Sequence, residues 1–94
     1  MERKELIKKL SAKLKKWDTE LTKLEAKALK AKEETQAKFK EQIVELKKKK
    51  KIADKKLKEL EQSGEEAWEE LKSGAELVFD DLATTFKAVI SKFK

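Results

Sequence analysis

Apolar residues return along the first part of the chain at alternating intervals of three and four: Ile7, Leu10, Leu14, Trp17, Leu21, Leu24, Ala28 and Ala31. This is the a/d seam of a coiled coil. Thr35, Phe39 and Ile43 follow at successive intervals of four, and the alternation resumes with Leu46, Lys50, Ala53, Leu57 and Leu60. Repeated four-residue steps are stutters, which locally unwind a supercoil. No proline occurs anywhere and no glycine precedes Gly64. The pattern therefore predicts one long helix over residues 2–62, straighter near residues 31–46. At 1.5 Å per residue it would be ~90 Å long.

The last third has a different period. EEAWEEL at residues 65–71 returns as ELVFDDL at 76–82 and as KAVISKF at 87–93, an offset of eleven. Eleven residues make almost three turns, so the seam runs nearly parallel to the helix axis. Trp68, Leu71, Ala75, Val78, Phe79, Leu82, Phe86, Val89, Ile90 and Phe93 share one face. That face spans roughly 120°, broader than the first seam, and suits two neighbouring helices rather than one. Between the segments, Ser63 and Glu66 have capping-box spacing and Gly64 permits a turn. Ser73-Gly74 repeats the signal, although a helix tolerates an internal glycine at ~1 kcal/mol. The expectation is an all-α single domain: a long basic coiled-coil helix at 1–62 and an acidic, amphipathic helix at 63–94. A hairpin at Ser63-Gly64 is preferred to a continuous rod of ~140 Å.

Composition narrows the chemistry. Of 94 residues 47% are charged and 38% hydrophobic, and Pro, Cys, His and Tyr are all absent. Without cysteine there is no disulfide framework or thiol nucleophile. Without histidine the commonest general base and metal ligand are missing. Two glycines and no proline leave little material for the turns of a sheet protein. The carboxylates Glu65, Glu66, Glu69 and Glu70 read as a solvated helix face, and they lack the Asp/Gly loop of a calcium site. No enzyme activity, cofactor or metal site is expected. The first twenty residues are charged throughout and no apolar run approaches the ~20 residues of a membrane span, so a cytoplasmic location is expected.

Charge is unevenly distributed. Residues 1–62 hold 21 basic and 12 acidic side chains, and residues 63–94 hold 4 and 7. If the chain folds back at Gly64, the acidic segment matches the basic one in antiparallel register. Glu76 then faces Lys51, Asp80 faces Lys47 and Glu69 faces Lys58. Exposed pairs contribute only ~0.2–1 kcal/mol each, so they select an arrangement more than they stabilise it. The lysine run 47–51 is expected to stay helical, with the stem of Lys50 packing on the seam and its ammonium reaching outward.

The stretch Leu10 to Ala28 containing Trp17-Asp18, and Glu65 to Gly74 containing Trp68, resemble segments of small bacterial proteins described only as coiled-coil domain-containing. The resemblance implies a bacterial source and a helical fold, and carries no activity.

A lone helix cannot bury such a seam, and a hairpin would leave residues 1–33 unpaired. Self-association is therefore expected, with Leu10, Leu14, Trp17, Leu21, Leu24, Trp68, Leu71, Val78, Phe79, Leu82, Phe86, Val89 and Phe93 at the interface between chains. The function expected is that of a non-enzymatic, self-assembling helical scaffold or interaction module, whose partner is itself or another helical protein. The alternative is an amphipathic protein that lays its C-terminal stripe on a lipid surface. Salt-sensitive nucleic-acid binding comes third, since the basic residues are 24 lysines and one arginine without interleaved aromatics.

Overall fold

A computed structural model describes residues 3–92, and these are helical apart from two short connections. Three helices of near-equal length follow one another: α1 (Arg3–Lys30), α2 (Glu33–Gln62) and α3 (Glu65–Lys92). They pack side by side, up-down-up, in a bundle of 51 × 18 × 17 Å. The all-α class and the reversal at Ser63-Gly64 agree with the sequence. The single helix over residues 2–62 does not form, because the chain also turns back at Ala31-Lys32.

The first turn has a clear local cause. The seam is weakest between Leu24 and Phe39, where it offers only Ala28, Ala31 and Thr35. A straight helix through this stretch would bury almost nothing, whereas folding back sets Leu21 and Leu24 in the same core as Ile43 and Leu46. Ala31 N–H donates to Ala28 O at 3.2 Å, tightening the last turn of α1. Lys32 is extended (φ −62°, ψ 149°). The Gln36 side-chain amide then donates to both Leu29 O and Ala31 O at 3.0 Å, satisfying end carbonyls of α1 from the first turns of α2. Charge assists: Lys27 and Lys30 close α1, and Glu33 and Glu34 open α2, each of the sign its helix end favours.

The second turn uses Ser63 rather than Gly64. Ser63 is extended (φ −69°, ψ 145°). Its N–H and its hydroxyl both donate to Leu60 O, at 3.2 and 2.8 Å. The hydroxyl thus finishes α2, where capping-box spacing had assigned it to the start of α3. No described residue has a positive φ, so Gly64 is not needed for a left-handed conformation. Gly74 lies inside α3, which continues through it unbroken.

Arg3, the only arginine, ties this end of the bundle together. Its guanidinium donates to Leu60 O at 2.9 Å and to Glu61 O at 3.1 Å, at the C-terminus of α2. It also lies 4.9 Å from the Trp68 ring centroid on α3. One planar cation on α1 thereby caps a second helix and stacks on a third.

The core runs the length of the bundle. From α1 it takes Leu6, Leu10, Leu14, Trp17, Leu21, Leu24 and Ala28, with Leu6 rather than Ile7 facing fully inward. Ile43, Leu46, Ala53, Leu57 and Leu60 come from α2, and Ala75, Phe79, Leu82, Phe86 and Val89 from α3. At its centre Trp17, 8% exposed, stacks on Phe86 at 5.6 Å and 8° and meets Phe79 at 5.6 Å and 37°.

Gly74 is a removable weakness. A methyl group added there meets nothing within 4 Å, and its φ is not positive. Glycine within a helix costs ~0.5–1 kcal/mol relative to alanine. Gly74→Ala should therefore raise the thermal midpoint by roughly 4 °C, given ~4–8 °C per kcal/mol for a chain of this size; differential scanning calorimetry reads it, and a lowered midpoint would contradict the open helical site.

Candidate functional site

Most residues expected at an interface between chains are used within one chain. Leu10, Leu14, Trp17, Leu21, Leu24, Phe79, Leu82, Phe86 and Val89 are buried, and Trp68, Leu71 and Val78 are half-buried against the same core. Phe93 lies outside the described residues. The premise for obligatory assembly was that residues 1–33 lack a partner, and α1 has two in its own chain. The described part of the broad C-terminal stripe is likewise packed inside the bundle, with Trp68, Leu71, Val78 and Ile90 half-buried at its edges.

The expected electrostatic pairs are rearranged for the same reason. Among the described residues Lys51, Lys58, Glu69, Glu76 and Asp80 form no ion pair within 4.0 Å. Lys47 reaches Glu25 of α1 at 3.5 Å. The α2–α3 contact is made instead by Lys49, which binds Asp81 at 3.1 Å and the Thr85 hydroxyl at 2.8 Å. Glu76 and Asp80 share a cleft with Lys9 and Lys13 of α1. The acidic helix thus does face lysines, but on two helices, one of which the hairpin reading had placed elsewhere.

Lys50 joins α1 to α2 at the seam. The run 47–51 is helical, as expected. The Lys50 ammonium lies 2.7 Å from Asp18 Oδ1 and 3.2 Å from Asp54 Oδ2, and its side chain is only 15% exposed. Burial disfavours its charge, but the hydrogen bonds and charges of Asp18 and Asp54 outweigh this and raise its pKa above the ordinary 10.5. The stabilising share of a raised lysine is fully present below its unfolded value and is lost as pH climbs through the folded one. Chemical denaturation followed from neutral to strongly alkaline pH should show that loss above about 10.5. In Lys50→Met the corresponding part of the fall should be missing; an identical alkaline fall in both proteins would contradict it.

What remains on the surface is informative. Among the described residues four large apolar side chains are exposed: Leu29 (71%), Leu77 (71%), Ile52 (51%) and Val44 (50%). They fall into two grooves. Ile52 and Leu77 line an open cleft between α2 and α3, with Val78, Lys49 and Asp81. Leu29 and Val44 line another between α1 and α2, near the first turn, with Lys40, Glu25 and Lys47. The latter cleft shares Glu25 and Lys47 with a neighbour holding Asp18, Lys50, Lys51 and Asp54. That neighbour in turn adjoins one lined by Lys48, Lys55, Lys58 and Ile52, which there meets the edge of the α2–α3 cleft. The α1–α2 groove is thus continuous and basic. Sequence periodicity assigned Leu29, Val44 and Leu77 no role, because each stands off the seam beside a residue that is on it; their lone apolar character on polar faces was the only signal.

Among the described residues no group of three or more metal-ligating side chains converges, and no helix is long and apolar enough to cross a membrane. No protein-family model matches the chain, and neither the curated proteins nor the solved structures give a significant match. The functional reading rests on the geometry of these grooves.

Proposed function

We propose that the protein is a non-enzymatic helical interaction module that associates with a second copy of itself through the α2–α3 face. The observation that carries this reading is the pair Ile52 and Leu77. They are large, exposed, on adjacent helices, and at the rim of one cleft. Isolated apolar side chains on a surface are ordinary, whereas apolar residues paired in a groove with a charged rim suit an interface.

Charge supports a particular arrangement. The outer side of α2 presents Lys48 and Lys55, and that of α3 presents Glu66 and Glu70, all exposed. Among the described residues none of the four is ion-paired within 4.0 Å. A two-fold axis parallel to the bundle lays α2 of one copy on α3 of the other. Ile52 of one chain then faces Leu77 of its partner, and Lys55 lies within roughly 6 Å of Glu70 along the axis, whereas Lys48 and Glu66 are roughly 22 Å apart along it and do not meet. Such an isologous contact closes as a dimer. The side of a bundle 51 Å long and 18 Å wide offers roughly 900 Å², close to the ~800 Å² per partner of a standard interface.

Because Leu77 is largely outside the core, Leu77→Glu should leave helicity and thermal midpoint nearly unchanged. Light scattering at micromolar concentration should fall from twice the chain mass to the chain mass. A wild-type protein with the mass of one chain at these concentrations, or a dimer indifferent to Leu77→Glu, would overturn the reading.

A further inference from the structure

The α1–α2 groove is lined by no residue of α3. It borders the α2–α3 face along the outer side of α2, where Ile52 lines both and Lys48 and Lys55 line the groove. Its acids are already engaged: Asp18 and Asp54 hold Lys50, and Glu25 holds Lys47. The lysines that remain are in surplus. Lys40, Lys51 and Lys58 are exposed, line the groove, and have no ion pair within 4.0 Å among the described residues. They are spread over 18 residues of one straight helix, roughly 27 Å. The exposed acids of α3 line none of these cavities, so the unpaired lysines give this groove a positive potential.

The groove ends in Leu29 and Val44 beside Lys40. Lysines in a row with exposed aliphatic side chains at one end match an anionic bilayer surface. There the ammonium groups meet lipid phosphates and carboxylates, and the aliphatic groups enter the boundary of the acyl region. Nucleic acid fits less well. No aromatic residue or arginine lines the groove, so there is nothing to stack on a base or fork onto a phosphate, and a sugar–phosphate backbone has no use for Leu29 and Val44. We infer that the α1–α2 face docks the bundle on anionic lipid surfaces, with Lys40, Lys51 and Lys58 as the electrostatic contacts and Leu29 and Val44 as the apolar one. The docking contacts Lys40, Lys51, Lys58, Leu29 and Val44 are not among the residues assigned to the dimer, although the two faces adjoin at Ile52 and Lys55.

A lysine near an anionic surface strengthens binding about fivefold. The three together account for about 100-fold, and burial of Leu29 for roughly tenfold. The test is co-flotation of the full chain with phosphatidylcholine vesicles, with and without about 30 mol % phosphatidylserine, at low and high salt. Binding is expected only with the anionic lipid and only at low salt. Lys40→Gln, Lys51→Gln and Lys58→Gln combined should lose about 100-fold, and Leu29→Gln roughly tenfold. The charge-matched control Lys72→Gln, Lys87→Gln and Lys92→Gln, all on α3, should bind like wild type; circular dichroism confirms that each variant is folded. Three results overturn the inference: no binding to anionic vesicles at low salt, an equal loss in the α3 control, or duplex DNA displacing the protein from vesicles at equal charge concentration. Light scattering on the same Lys40/Lys51/Lys58 variant should still give the wild-type mass, which separates loss of lipid docking from loss of the dimer.

Discussion

Trp17 is covered because α1 and α3 lie side by side. Its ring is wedged against Phe86 and Phe79 at 5.6 Å in each case, and both partners are more than sixty positions away along the chain. To bring them together the chain must reverse twice, and the two reversals must be separated by a helix about as long as α1. That requirement sets the three near-equal helices of 28, 30 and 28 residues. Aromatic pairs of this kind contribute ~0.5–1.5 kcal/mol beyond the area they bury. The clamp at Arg3 and the bridge at Lys50 are consequences: each needs α1 beside α2, and Arg3 needs α3 as well.

The helical class, the reversal at Ser63-Gly64 and most core positions are legible in the sequence, because seam spacing reports which side chains turn inward whatever they meet. The identity of the neighbour is not legible in the same way. Leu10, Leu14 and Trp17 make the same pattern whether they pack on another chain or on a helix of their own. The turn at Ala31-Lys32 was hidden because no glycine or proline marks it. The work is done by Gln36 reaching back to two carbonyls, and by a seam so poor in large side chains that nothing is lost by leaving it. The switch from Lys27, Lys30 and Lys32 to Glu33 and Glu34 was the available sign. The charge match was real in kind but mis-assigned in detail: Lys49 meets Asp81, while Glu76 and Asp80 face Lys9 and Lys13 of a helix that the hairpin reading had left unpartnered.

The distribution of lysines links architecture to the proposed roles. Those that set helix against helix, Lys47, Lys49 and Lys50, have carboxylate partners across an interface. Lys40, Lys51 and Lys58 have none among the described residues and lie along one groove. A bundle could have been assembled with fewer charges, since exposed pairs add little stability. The surplus is better understood as surface chemistry, and the four exposed aliphatic side chains mark where that surface has apolar character as well. Closing the core within one chain leaves both outer grooves open to partners.

The central claim is that α1 folds back on α2 within one chain. It is tested most directly by the distance between spin labels on Lys8→Cys and Lys58→Cys, with labelled chains diluted in unlabelled ones; the chain has no other cysteine. In the bundle both sites lie toward the end where Arg3 reaches Leu60. Neighbouring helix axes are about 10 Å apart, so label separations of roughly 10–20 Å are predicted. A continuous helix over residues 2–62 separates the same sites by fifty residues, roughly 75 Å. A single short-distance population agrees with the three-helix bundle; a long-distance population would contradict it.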